Sequence, residues 1–257
     1  MISGDIASLV CDMDGVIYRG DQPIAGAPQA IMRLRSSGVR VLFCTNNSSQ
    51  TVEEYRVKLG AMGIEATPDD ILTSAVVTAD VLKERGLKGK RTFIVGGAGM
   101  EAVARDAVLE RTSSGKDAEV VLVGWDPSFD YSKMRHAADA VRAGAVFIAS
   151  NSDATFPSPE GALPGAGAIL ASIEVASGRR AEVLGKPHKP MTDAIARRLG
   201  RGPRVAAVGD RPDTDLAAGR AMGWMTILVL TGVTSREQSE ALDPQPDLIA
   251  GSLADLG

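Results

Sequence analysis

Short runs of consecutive apolar residues alternate along this chain with longer segments whose apolar positions recur every three or four residues. The first kind reads as buried strand and the second as amphipathic helix. Residues 6–10 and 39–44 are strand-like. Between them a helical segment at 28–37 carries Ile31 and Leu34 on one face and is stopped by Gly38. A helix over 51–59 with Ser49 or Thr51 as its cap, a weak strand at 71–73 and a helix over 75–84 closed by Gly86 complete the first third. After Lys88-Gly89-Lys90 the alternation restarts, with strands at 91–95, 119–123 and 146–149 and helices near 99–104, 132–143 and 165–177. Gly178-Arg179-Arg180 marks the exit from that second unit. The main sheet is expected to resume with 182–184, followed by a helix over 189–199, a strand at 204–208, a helix from about 214 to 222 and a strand at 225–230. Regular alternation of this kind predicts a parallel α/β architecture. The expected division is a discontinuous main unit, residues 1–87 and 182–257, with a smaller α/β insert at 88–181.

Composition narrows the classes. The chain has 257 residues, 44% hydrophobic and 23% charged, as in soluble globular proteins. A net charge of −4 gives no basic surface for nucleic acid. The longest apolar runs, such as residues 225–230, are far too short for a bilayer. Asp5 and Asp12 interrupt the N-terminal stretch, so no secretory signal is read and a cytoplasmic location is expected. Cys11 and Cys44 each precede a polar motif and read as small buried residues, not as a disulfide. His136 and His188 lack the spacing of zinc ligands. Residues 94–102, Ile-Val-Gly-Gly-Ala-Gly-Met-Glu-Ala, imitate a dinucleotide-binding turn, but no acid is placed to hold a ribose. A tight strand-to-helix turn is the better reading.

Four polar clusters follow strand ends or open helices: Asp12/Asp14, Thr45/Asn46, Lys186 in Gly-Lys-Pro, and Asp210/Asp213/Asp215. Each has an ordinary structural explanation as a turn, a helix cap, a solvated charge or an acidic first turn. Their order on successive α/β units points further, because open parallel sheets bind ligands at the carboxyl ends of their strands. A carboxylate attacks phosphorus only if its repulsion from the phosphate is cancelled. Acids converging at a sheet edge call for a hard cation, and oxygen-only ligands favour magnesium. Lys186 adds a positive charge, and the Thr45 hydroxyl and nearby amides can donate to phosphate oxygens. Asp14, two residues beyond Asp12, has neighbouring acids that raise its pKa, which suits a general acid.

The order Asp-x-Asp-Gly, Thr-Asn-Asn-Ser, Gly-Lys-Pro, Gly-Asp-x-x-x-Thr-Asp resembles the haloacid dehalogenase superfamily of phosphohydrolases, and within it the NagD-like subclass IIA. Residues 164–169, Pro-Gly-Ala-Gly-Ala-Ile, resemble the end of that subclass's cap. The resemblance implies a Rossmann-like core with an inserted cap, and magnesium-dependent hydrolysis of a small phosphorylated metabolite. It implies Asp12 as nucleophile, with Asp14 as general acid and base whose main-chain carbonyl holds the metal. Thr45 and Asn46 would bind the phosphoryl group, with Asn47 close by. Lys186 would pair with Asp12 and the phosphate, Asp210 would complete the metal shell, and Asp215 would orient ligands from behind. Closure of the cap would carry residues 153–159 over the leaving group, with Phe156 at a position where pyridoxal phosphate phosphatase has a histidine. The exposed connections near 88–90 and 178–180 would serve as hinges. A homodimer through the cap is left open, as is the identity of the ester. A phosphotransferase or phosphomutase could use the same core. A phospho-receiver domain is half the size, and a dehalogenase lacks the second acid, so both fit less well.

Overall fold

The computed structural model describes residues 6–158, 161–200 and 204–256, and side chains at 157 and 158 are outside the description. Its main sheet has six strands in the order Leu248–Ala250, Met225–Val229, Val205–Gly209, Ser8–Cys11, Arg40–Thr45, Ile71–Thr73. Every neighbouring pair is parallel. From Ser8–Cys11 the chain winds outward through Arg40–Thr45 to Ile71–Thr73, and its last segment winds the opposite way. The winding therefore reverses between Ser8–Cys11 and Val205–Gly209, the place where such sheets open a ligand crevice. Cys11 lies opposite Val208, and the Asp12 amide donates to the Val208 carbonyl at 3.0 Å. Asp12 and Asp210 thus leave adjacent strands side by side.

The strands are apolar throughout because helices cover both faces. Leu9, Cys11, Phe43, Ile71, Val208 and Ile227 belong to one buried cluster with the Ala27–Ser36 helix, and Leu34 there is fully buried. Side chains of this size stabilise by about 1.5–3 kcal/mol each when taken from water. Val10, Leu42, Cys44 and Ala207 point to the other face. Their cluster continues through the Ser74–Glu84 and Lys189–Leu199 helices into Ile94, Met100, Leu122 and Ile148 of the second unit. The Val52–Ala61 helix is capped by Thr51, whose side chain accepts from the Glu54 amide while Glu54 returns a bond to Thr51 N, so Ser49 is not the cap.

The second unit carries a parallel five-stranded sheet, ordered Glu182–Val183, Val146–Ala149, Val120–Val123, Arg91–Val95, Glu110–Arg111. One expectation is corrected here. Residues 182–184 do not resume the main sheet, because Glu182 and Val183 pair with Ile148 and Ala149 at the edge of the second sheet. The return to the main unit follows at Leu184, which is buried and donates its amide to Ala149 O at 3.0 Å. The exposed Gly178-Arg179-Arg180 turn is therefore inside the second unit and not its exit. The glycine-rich stretch at 96–99 is the expected strand-to-helix turn into Ala98–Asp106, with a further use: a Cβ on Gly99 would lie 1.9 Å from Ser48 O, so this helix start rests on the polar loop of the main sheet. An antiparallel hairpin, Thr155–Ser158 with Gly161–Pro164, was not expected from the pattern. Of the loop anticipated to overhang the site, residue 159 lies outside the described residues.

Candidate active site

The loop after the first strand turns at Gly15, whose φ of 80° is the left-handed region open to glycine. A Cβ there would also stand 2.7 Å from Asp210 Oδ2, so the glycine lets the two acidic loops touch. The Met13 carbonyl accepts the amides of Val16 and Ile17, closing the turn that presents Asp14. Asp12, Asp14, Thr45, Asn46, Asn47, Lys186, Asp210 and Asp215 all line one cavity of about 40 Å³, so the four separated motifs do converge. By the room one water needs, that volume holds about three. Phe156 lines it too, from the second unit.

Lys186 is 3% exposed and organises the cluster. Its Nζ donates to Asp12 Oδ1, Asp215 Oδ1 and the Cys44 carbonyl, each at 2.7 Å. Burial pulls its pKa down, but Asp12 and Asp215 outweigh that and hold it well above the ordinary value. These three bonds direct the ammonium at Asp12, Asp215 and the Cys44 carbonyl together. Burial pushes Asp12 upward, Lys186 opposes this, and Asp215 and Asp210 add to it. Burial and then Asp215 raise Asp210 to about 7. Burial likewise raises Asp14, with Lys58 and an Asn47 hydrogen bond opposing.

Carboxylate oxygens of Asp12, Asp210 and Asp215 lie within 4.8 Å of one another. Asp215 accepts from Lys186 Nζ with one oxygen and from the Arg211 amide at 3.1 Å with the other, so both of its oxygens are engaged by the protein. Asp210 Oδ2 accepts from Val233 N at 2.6 Å, whereas Asp210 Oδ1 is buried without a hydrogen-bond partner. Asp14 Oδ2 is also buried and unpartnered. Unmatched buried oxygens cost about 1–3 kcal/mol apiece and call for a ligand. Hard oxygen donors of this kind fit a divalent cation.

The polar loop after Arg40–Thr45 divides its work differently from expectation. The Thr45 hydroxyl accepts from Asn47 N at 3.0 Å and keeps its own hydrogen to donate. Asn46 is engaged by protein: its Oδ1 accepts from Lys186 N at 2.7 Å, while Nδ2 donates to Lys186 O at 3.1 Å and Asp153 Oδ1 at 2.8 Å. This side chain clamps the lysine loop to the second unit. Asn47 Oδ1 accepts from Ser49 N and Oγ.

The sequence reading missed Trp125, Asn151 and Arg211, which also line the cavity, and had Asp153 only as the start of the overhanging loop. Trp125 stacks on Phe156 with ring centroids 4.5 Å apart and planes 11° apart. Trp125 closes a strand end, as the recognised acids do, and that position was the available signal. Asp153, raised by burial, and Arg211 gave no signal beyond adjacency to named residues.

Paired buried carboxylates, a buried lysine and converging oxygens at the switch point of a parallel sheet are the setting of a phosphoryl-transfer hydrolase of the α/β class. Residues 9–110 match the haloacid dehalogenase-like hydrolase family and residues 183–256 the HAD-hydrolase-like family. An acid sugar phosphatase of Staphylococcus epidermidis is 36% identical over 236 residues, covering 91% of this chain and 90% of the relative. The solved p-nitrophenyl phosphatase from Archaeoglobus fulgidus superposes with a TM-score of 0.89 at 32% identity, over 98% of both chains. A glycerol phosphate phosphatase from Mycobacterium tuberculosis, solved with magnesium, gives 0.88 at 33% identity over 99% of this chain and 77% of that one. The chain belongs to the haloacid dehalogenase-like hydrolases, and it is a phosphatase of that family. Among the described residues no helix is long and apolar enough to cross a membrane.

Proposed function

We propose that the protein hydrolyses small phosphomonoesters through a phosphoaspartate on Asp12, with magnesium as cofactor. The observation that carries this reading is the pairing of Asp12 with Lys186 in the wall of the cavity, beside unpartnered oxygens of Asp14 and Asp210. Magnesium, when held by Asp12, Asp210 and the Asp14 carbonyl, would offset the negative charge that gathers on the transferring group.

Asp12 would attack phosphorus with a carboxylate oxygen as the ester P–O bond breaks. Asp14 would hand its proton to the departing alkoxide, its raised pKa keeping that proton available. Water would then attack phosphorus, giving a proton back to Asp14, and the bond from phosphorus to Asp12 would break to release phosphate. Lys186 keeps Asp12 and Asp215 from repelling each other and the incoming phosphate. The Thr45 hydroxyl and the Asn47 Nδ2 would be the side-chain donors of this loop toward a phosphate oxygen. Burial excludes competing water.

The second unit acts as the cap and reads the leaving group. The cavity is lined by the acids and Lys186 of the main unit and by Trp125 and Phe156 of the second, so the leaving group would extend toward those two rings. Those rings suit the carbon face of a small polyol or an aromatic alcohol. Acid sugar phosphatase, glycerol phosphate phosphatase and p-nitrophenyl phosphatase relatives make sugar, glycerol and aryl phosphates the first esters to assay. The test is phosphate release from that panel before chelation, after exhaustive chelation and after magnesium is restored. Activity lost and recovered supports the reading; full activity in chelator removes the metal from it.

A further inference from the structure

We propose that Arg211 is a positioning residue that ties the ion-side loop of the main unit to the hairpin over the leaving group, and thereby sets how well that hairpin captures an ester. Arg211 follows Asp210 directly. Its amide donates to Asp215 Oδ2 at 3.1 Å, which fixes its backbone to the Lys186 cluster. At its far end, Nη2 donates to Thr155 O at 2.9 Å and to Thr155 Oγ1 at 2.8 Å. Thr155 opens the strand that carries Phe156. One side chain therefore joins the edge of the ion site to the first residue of the hairpin.

The other bonds of this region locate Arg211's part. Gly165 N donates to Ala154 O at 2.9 Å and Gly167 N to Asp153 O at 2.9 Å, both inside the second unit. Trp125 Nε1 donates to Pro164 O at 3.1 Å, again inside it. From the main unit, Asn46 reaches Asp153, and Ser48 reaches Ser150 at 2.9 Å, behind the hairpin. Arg211 alone among these bonds reaches into the hairpin from the main unit. Without it the strand keeps its own unit's contacts but loses registration against the catalytic loops. A hairpin that occupies the competent position for only part of the time binds an ester more weakly by that fraction. An ester whose leaving group does not reach the hairpin is spared.

The kinetic arm rests on the phosphatase reading; a second arm does not. Hydrogen exchange of the hairpin amides at 155, 156, 158 and 161–163, measured without substrate, should quicken about tenfold in Arg211→Met while exchange in the main sheet stays put. In turnover, KM for glycerol or sugar phosphate should rise about tenfold relative to acetyl phosphate, with kcat changed less than about threefold. Thr155→Val keeps the arginine charge and the main-chain acceptor but removes Oγ1. It should reproduce part of the effect, and the double variant should be less than additive. Arg211→Lys should fall between. Unchanged hairpin exchange in Arg211→Met overturns the proposal. So does an Arg211→Met effect that Thr155→Val neither reproduces nor couples to, since Arg211 would then act on the substrate itself. If Arg211→Met does not fold, the exchange and KM of Thr155→Val decide: wild-type values in both overturn the tie. Absence of phosphatase activity in the wild type would defeat the functional reading and leave the exchange arm standing.

Discussion

Replacing Lys186 by Met tests whether the buried cluster is an ion pair that holds the fold together. The substitution keeps most of the stem and deletes the ammonium, removing bonds to Asp12, Asp215 and Cys44 O. Breaking a buried pair by taking one partner costs about 3–5 kcal/mol, because the remaining charge is left uncompensated. Against a total stability of about 5–15 kcal/mol that is a large loss. The cell of carboxylates can reduce it by taking up a proton. Burial already pushes Asp12 up, and Lys186 is the main influence opposing that, so deletion raises Asp12 further. A group whose folded pKa is raised above its unfolded value contributes stability below the unfolded value and loses it as pH rises through the folded one. The gap between wild type and Lys186→Met should therefore widen as pH rises between the two folded-state values of Asp12, and so be larger at pH 8 than at pH 5, by at most about 1.4 kcal/mol per pH unit for one proton. Urea unfolding in chelator at both pH values, with matched m-values, measures it. A variant folded at pH 5 and unfolded at pH 8 is the same result in stronger form. Equal stability of the two proteins, or a gap that narrows as pH rises, would refute the account of the cluster.

Three further outcomes follow from other residues. Asp14→Asn should slow phosphorylation by roughly 10²–10⁴ with poor leaving groups and much less with 4-nitrophenyl phosphate; equal losses in burst kinetics would contradict proton donation by Asp14. Phe156→His removes the apolar half of the stack on Trp125 and should change relative kcat/KM across an ester panel by about 1–3 kcal/mol without altering metal dependence; an unchanged ranking in a folded variant assigns Phe156 to packing. Asp126 is buried and accepts from Ser128 N and Oγ and from Lys133 Nζ; burial raises its pKa, but these bonds outweigh that and leave it below the usual carboxylate value. Its contribution is present above the unfolded pKa and lost as pH falls through the folded one. Asp126→Asn should therefore cost about 1–3 kcal/mol at pH 7 and less below pH 4, read by urea unfolding at the two pH values.

The parts of this fold legible in the chain are those whose cause is local. Apolar runs at 39–44 and 225–230 became buried parallel strands because helices on both faces leave no polar side to encode. Asp12, Thr45 and Asp210 stood out because each ends such a run. Residues 182–183 were misplaced because a two-residue strand carries no information about which sheet it joins; the choice rests on pairing with Ile148 and Ala149, 34 residues earlier in each case. The 155–164 hairpin was missed because Pro157 and Pro164 argue against strand, and its pairing is set by the second unit around it. At the site, charge types were legible and bond partners were not. That the Asn46 side chain bonds to Lys186 and Asp153, more than a hundred residues away, could not be read from its place in the motif. Arg211 sits inside a recognised motif, and only the Thr155 contact makes it more than a neighbour of Asp210.

The central claim is that Asp12 carries the phosphoryl group. Rapid acid quench of the magnesium-loaded protein during turnover of a labelled ester, followed by peptide mass spectrometry, addresses it directly. The account predicts an acid-stable, hydroxylamine-labile phosphoryl group on the peptide containing Asp12, formed at a rate that supports turnover and absent from Asp12→Asn. Turnover at full rate by Asp12→Asn, with deamidation excluded, or a phosphoryl group found on another side chain, would contradict it.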